Sequence, residues 1–369
     1  VSQDPGLASW LQLSLTPGLS PATLRKLLQQ FGLPQAVLAR KRGELAALVP
    51  PAALAALDSE PVASAVAHAL EWSAEAGHTV VTLADETYPK PLLEIADPPP
   101  LLYARGRVEL LARSALAIVG SRNATQQGSA NAEAFARTLS ESGLTIVSGL
   151  ALGIDAAAHR GGLQGPGSTI AVLGTGIDVI YPQRNAALAG EIAQRGLLVS
   201  EFPLGTAPAA HNFPRRNRLI SGLARGCLVV EAAVASGSLI TARAAAEQGR
   251  EVFAVPGSIH SPLAKGCHAL IKSGAKLVES AEDVLTELSG FRPSGYASTR
   301  ETSRHEATTA ETGLLAHMGH DPVDVDSLCS RAGLSAEQVS SELLRLELDG
   351  RVAALPGGLY QRLEKEGRR

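Results

Sequence analysis

The chain has 369 residues, of which 45% are hydrophobic and 19% charged, so two or three domains with real cores are expected and wholesale disorder is excluded. Lys plus Arg number 33 and Asp plus Glu 36, and the net charge of −3 gives no global attraction to nucleic acid or membrane, so any basic site must be local. Cys227, Cys267 and Cys329 are far apart with no CxxC pair, no apolar run reaches the ~18 residues of a membrane span, and the opening VSQDPGLASW has no basic-then-apolar signal pattern; these features exclude a disulfide framework and a cysteine zinc site and predict a cytoplasmic protein.

Residues 1 to about 105 read as helical, with turns at Pro17-Gly18, Gly32-Leu33-Pro34 and Pro50-Pro51. Leu24, Leu27, Leu28 and Phe31 fall at helical spacing behind Ser20-Pro21, a good N-cap and first-position pair. The prolines at 98–100 cannot continue a helix and mark a boundary. From 106 to 289 short apolar runs alternate with helical segments. The runs are 115–119, 144–147, 169–173, 197–199, 227–230, 251–255 and 276–278. Strands apolar on both faces and separated by helices predict an α/β domain, a Rossmann-like doubly wound parallel sheet. Residues 290–311 are poor in aliphatics and rich in Ser, Thr and Arg, which reads as a linker. Residues 312–369 regain pattern. Asp326 and Ser335 look like helix caps, Ser335-Ala-Glu-Gln338 is a capping box, and Val339, Leu343 and Leu346 form one stripe. Two short strands, 351–354 and 359–362, then cross Pro356-Gly-Gly358, so a helix-turn-helix plus hairpin, a winged helix, is expected.

In an open parallel sheet, ligands sit beyond the carboxyl ends of the strands, where glycine loops meet helix N-termini. Four loops qualify: Gly120-Ser121-Arg122 through Thr125, Ser148-Gly149 through Asp155, Gly174-Thr175-Gly176 through Asp178, and Ala235-Ser236-Gly237-Ser238 through Thr241. Any one could be an ordinary turn; four together favour a phosphate-lined cleft. A dinucleotide fingerprint is missing, since Val179 stands where the third glycine should follow Gly174 and Gly176. No Lys occurs from Ser114 to Ala264, which excludes a P-loop there.

The most informative segment runs from His211 to Gly222 (HNFPRRNRLISG). Phe202 to Val230 contains no acid but four arginines, Arg215, Arg216, Arg218 and Arg225. Arg215, Arg216 and Asn217 fall near a helix start, where free amides and guanidinium forks suit bidentate phosphate contact. The alternative is a solvated basic face, or arginines paired with Glu201 or Glu231. Phe213 is either a base-stacking ring or a core plug beside Pro214. Asp155 with His159 one turn later offers an acid–base set, but there is no Ser/His/Asp order and no paired-carboxylate motif, and Asp155 and Asp178 read better as helix caps or as acceptors for backbone in the cleft. His317-x-x-His320 lacks the metalloprotease Glu, so no metal site and no cofactor are expected.

At these residues the chain resembles the DNA-processing protein A (DprA, also Smf) family. The resemblance rests on IVGSRNAT, SGLALGIDAAAH, AVLGTGIDVIYP, SEFPLGTAPAAHNFPRRNRLISGL, VVEAAVASGSLITARAAAEQGREVFAVPG and GCHALIKSGA, in the family's order through most of 115–275. It implies a non-enzymatic protein that binds and shields single-stranded DNA in natural transformation, helps load the RecA recombinase, and forms a homodimer through its Rossmann-like domain. It further implies a phosphate pocket from Gly120, Ser121 and Arg122 with Thr125 in the same loop, DNA contacts from Phe213, Arg215, Arg216, Asn217 and Arg218, and lining from Ser236, Gly237 and Ser238. His268 departs from the family's usual Asn in GCN. Double-stranded DNA binding is left open. The rival reading is a nucleotide-binding phosphoribohydrolase-like enzyme, whose P-G-G-x-G-T-x-x-E loop is replaced here by Pro256-Gly257-Ser258-Ile259.

Leu15 to Ser20 resembles a helix-hairpin-helix turn with Ser20 in place of its second glycine, and reads either as a DNA-backbone contact or as packing alone. The would-be recognition helix of the winged helix carries Glu337, Glu342 and Glu347 against Arg345, the wrong charge near phosphates. That module is therefore expected to contact protein, or to be dispensable for DNA binding.

Overall fold

A computed structural model of the chain describes residues 5–288, 313–319 and 322–363. The expected linker at 290–311 and His320 lie outside the described residues. The larger compact unit takes residues 5–123 and 131–288, and residues 124–130, 313–319 and 322–363 are assigned to a second.

The larger unit opens with six helices: α1 (Pro5–Leu15), α2 (Pro21–Phe31), α3 (Pro34–Leu38), α4 (Arg42–Leu45), α5 (Pro51–Ala56) and α6 (Glu60–Ser73). Proline opens α2, α3 and α5, where its missing N–H costs nothing. The Ser20 hydroxyl caps α2 by accepting from the Thr23 amide at 3.1 Å. The helical spacing of α2 buries Leu24 and Leu27 against Leu13, Val37 and Leu45.

Two strands follow in the stretch read as helical: β1 (His78–Thr82) and β2 (Leu101–Gly106). They pair antiparallel with each other, and β2 pairs antiparallel with β6 (Leu197–Ser200). The sequence hid them because each is a short run among Leu- and Ala-rich helices, with no tight hairpin turn between the two. Next come β3 (Ala115–Val119), α7 (Gln126–Glu141), β4 (Thr145–Ser148), α8 (Ile154–Gly162), β5 (Thr169–Val172) and α9 (Ala186–Arg195), then β6. After β6 the chain forms α10 (Asn212–Leu223), β7 (Gly226–Val229), α11 (Ser238–Glu247), β8 (Glu251–Ala254), α12 (Lys265–Lys272), β9 (Lys276–Leu277) and α13 (Ala281–Glu287).

All seven expected core strands are present, and β3 to β9 pair in parallel where they adjoin. The sheet order is β1-β2-β6-β5-β4-β3-β7-β8-β9. The chain steps outward from β3 through β6, then returns to start again at β7 on the other side of β3. Helices cover both faces, and β3 to β7 are buried along their whole length. This is the doubly wound sheet expected, and its switch point lies between β3 and β7.

The second unit is a winged helix: α14 (Leu315–Met318), β10 (Val323–Asp324), α15 (Val325–Ala332), α16 (Ala336–Leu348), β11 (Val352–Leu355) and β12 (Leu359–Arg362), with a sheet in the order β10-β12-β11. The Ser335 capping box is present, and Val339, Leu343 and Leu346 are buried. The cap of α15 is Asp324 rather than Asp326, its carboxylate accepting from the Ser327 amide at 2.7 Å. β10 and α14 escaped the sequence because two and four residues are too few to show a period.

Candidate nucleic-acid interface

A cleft of about 670 Å³ opens at the switch point. The loop after β3 supplies Gly120, Ser121 and Arg122, α8 supplies Asp155, α10 supplies Phe213, Arg216 and Asn217, and the start of α11 supplies Ser236, Gly237 and Ser238. Three helices thus begin at its wall, each with its positive dipole end there. The β3 loop is tied across the switch point, since the Ser121 amide donates to the Glu231 carbonyl at 2.7 Å. The Ser236 and Ser238 hydroxyls lie 2.7 Å apart, and the Ser236 hydroxyl accepts from the Ser238 amide at 3.3 Å.

Arg122 is exposed, and its guanidinium lies 5.7 Å from the centre of the Phe213 ring. Arg216 is only 4% exposed. Its Nη1 donates to the Gly149 carbonyl at 2.8 Å and to the Val172 carbonyl, and its Nε donates to Asn217 Oδ1 at 3.2 Å. The guanidinium lies so close to residue 149 that a Cβ there would be 2.6 Å from Nη2, which is why the position is glycine. Burial pushes the Arg216 pKa down to about 10, with Asp155 opposing and Arg122 adding to the shift, so the group stays cationic at neutral pH.

Asp155 accepts from the Gly149 amide at 3.1 Å and the Ala151 amide at 3.4 Å; burial raises its carboxyl pKa while Arg216 opposes the rise. Leu150, at φ 57, sits in the left-handed region in the loop between β4 and α8. Its amide donates to His159 Nε2 at 3.2 Å and its carbonyl accepts from Asn185 Nδ2 at 2.8 Å, so the strained residue is held from both sides. His159 is fully buried, its Nδ1 lies 2.7 Å from Thr169 Oγ1, and burial pushes its pKa down to about 3. With both ring nitrogens engaged and no exposure, it cannot take a substrate proton.

The expected site residues divide. Gly120, Ser121, Arg122, Phe213, Arg216, Asn217, Ser236, Gly237 and Ser238 line the cleft together. Thr125 precedes α7, and its hydroxyl accepts from the Gly128 amide at 2.8 Å. Arg215 and Arg218 do not line the cleft; on the other face of α10 both bind the buried Glu201 carboxylate, Arg215 at 3.2 Å. Arg218 also holds the Asp97 carbonyl at 2.6 Å. The arginine–Glu201 alternative weighed from the sequence describes this pair, and the buried Arg216 departs from the expected exposed helix start, because α10 begins three residues before Arg215, at Asn212.

Sequence reasoning passed over Tyr181. Its ring centre is 5.8 Å from that of Phe213, it is 47% exposed, and it lines a recess with Arg122 and Arg216. The IYP of the third glycine loop was the available signal. Phe213 itself lies over Gly174, where a Cβ would be 2.7 Å from the ring.

A doubly wound sheet with a cationic, glycine- and serine-lined cleft at its switch point defines a Rossmann-like protein carrying a winged helix. The family model described as DNA recombination-mediator protein A matches residues 79–289, more than half of the chain, and that described as the DprA winged helix domain matches 298–358. The chain belongs to the DNA recombination-mediator protein A family. It is 45% identical over 300 residues to Protein Smf of Escherichia coli, covering 80% of each chain. It is similar to the X-ray structure of DNA processing protein A from Streptococcus pneumoniae, at 40% identity and TM-score 0.67, over 77% of this chain and 98% of that one. It is also similar to a DNA processing protein A from Helicobacter pylori described for its single-stranded DNA binding mode, at 32% identity and TM-score 0.52, over 57% of this chain and 95% of that one.

Proposed function

We propose that this chain binds single-stranded DNA in the switch-point cleft, gripping phosphates and leaving most bases unread. The observation that carries the reading is the pairing of an exposed cation, Arg122, with a buried one, Arg216, at the meeting of three helix N-termini. Phe213 and Tyr181 offer stacking faces beside them. Arg215 and Arg218 act as supports of α10 through Glu201. Thr125 contributes by starting α7.

The family adds the setting: shielding of DNA taken up in transformation, loading of the RecA recombinase, and a homodimer through the Rossmann-like domain, in the cytoplasm. The domain division that goes with it is 1–105, 106–289 and 312–369. A non-enzymatic role is supported by the buried, neutral His159 and by Asp155 being occupied with backbone amides.

The test is anisotropy with labelled single- and double-stranded oligonucleotides at two salt concentrations. The affinity for single strands should fall with salt with a slope of about −0.7 per neutralised phosphate. Arg122→Ala should weaken every sequence alike by about five- to tenfold and flatten that slope by about 0.7. Salt-insensitive binding, or release of base from nucleoside monophosphates that needs Asp155, would replace this reading with the phosphoribohydrolase-like one.

A further inference from the structure

On the opposite face of α10 a second, smaller cavity of about 220 Å³ lies between the N-terminal helices and the β2–β6 edge. Its apolar lining includes Leu19, Leu24, Pro99, Pro100 and Phe202. Three polar side chains also line it: Ser14 from α1, Tyr103 from β2 and Glu201 just after β6. The Ser14 hydroxyl, the Tyr103 hydroxyl and Glu201 Oε1 are each buried with no hydrogen-bond partner among the described residues. The Glu201 side chain is 1% exposed and Tyr103 is 1% exposed. One orphaned buried polar atom is costly, and three in one cavity, too roomy for a single ordered water, mark a place built to hold a hydrogen-bonding molecule.

Charge and shape limit what that molecule is. Glu201 Oε2 already binds both Arg215 and Arg218, so a third cation on this carboxylate has little to neutralise. Neutral N–H donors suit Oε1 better. The Pro99, Pro100 and Phe202 rings in the lining suit contact with a planar ring. Of the four DNA bases only guanine presents two adjacent donors, N1–H and the N2 amine, together with O6 and N7 acceptors for two hydroxyls. Thymine offers a single donor. Adenine and cytosine carry an acceptor beside their amine that would face the carboxylate.

Helical geometry connects this cavity with the cleft. Arg215 and Arg218, three apart, face Glu201, while Phe213, Arg216 and Asn217 face the cleft. Arg215 is 43% exposed and lines the cavity one residue from Pro214 and Arg216 of the cleft. We propose that this cavity receives one guanine base of the strand bound in the cleft, its Watson–Crick edge donating to Glu201 and its acceptors meeting the Tyr103 and Ser14 hydroxyls. This inference rests on the single-strand reading above, and it adds a base preference to a mode of binding that otherwise reads none.

The experiment is anisotropy of the full chain with a 15-nucleotide oligo-dT and with the same strand carrying one central dG or one central inosine. The dG strand should bind about tenfold tighter than oligo-dT, the discrimination of one two-point base contact. Inosine, lacking the N2 amine, should lose most of that gain. In Tyr103→Phe and Ser14→Ala the ratio of dG to dT affinity should fall towards one. Equal affinity for dG and dT strands, with salt-dependent oligo-dT binding intact, overturns the guanine pocket and leaves the cleft standing. A dG preference undiminished in Tyr103→Phe also overturns it, by placing the preference elsewhere. No binding of any strand overturns the pocket and the single-strand reading together.

Discussion

His159 shows how one buried side chain sets the behaviour of the loop that shapes the cleft. It accepts from the Leu150 amide on one nitrogen and faces Thr169 Oγ1 with the other, which fixes the neutral Nδ1–H tautomer, since Thr169 Oγ1 itself donates to the Ile146 carbonyl. Its pKa falls from the ordinary 6.5 to about 3. The unfolded chain therefore binds one more proton than the folded one between these values, and stability rises with pH across that window. Acidifying below about 6.5 should cost up to about 1.4 kcal/mol per pH unit from this residue alone. Asp155, whose pKa burial raises, acts with the opposite sign. Urea melts of the wild type between pH 5 and 8 should thus slope downward on the acid side, and His159→Gln should flatten that slope. Equal slopes in the two proteins would deny His159 this role.

α10 does two jobs at a spacing set by the helix period. Phe213, Arg216 and Asn217 serve the cleft, while Arg215 and Arg218 serve Glu201. Substitutions on the two faces should separate in measurement. Arg218→Ala leaves the buried Glu201 with one guanidinium and strips the Asp97 carbonyl of its donor. It should lower stability by about 3 kcal/mol, read as the denaturant midpoint. Arg122→Ala should leave that midpoint within about 0.5 kcal/mol and change DNA affinity instead. The core strands, the Ser20 and Ser335 caps and the loops that meet at the switch point were all legible in the sequence, because apolar runs, caps and glycines each leave a local pattern. The fate of the arginines was not. Charge type says nothing about burial, and the three-residue separation of Arg215 and Arg218 places them on one face without saying which. β1 and β2 were missed because both are short runs among helical residues, and the outer partner of β2, β6, lies about a hundred residues away. Tyr181 was missed because its neighbours, Phe213 on α10 and Arg122 in the loop after β3, come from distant parts of the chain.

At the scale of the molecule, the overall net charge of −3 coexists with a cleft lined by Arg122 and Arg216, so the proposed hold on a polyanion rests on local rather than overall charge. The winged helix is not expected to add to it. Arg345 on α16 is spent on Glu342 at 2.6 Å, and Glu337 and Glu347 share that helix. Removing residues 312–369 should leave the affinity for short single strands within about twofold, read by the same anisotropy titration. A loss of binding on that truncation would place DNA contacts in the C-terminal unit.

The starts of α8, α10 and α11 all border the cleft, and what they contribute there is the aligned dipole of each helix, which no side-chain replacement removes. A field of that kind does not titrate with acidity. Replacing one guanidinium of the cleft leaves it in place.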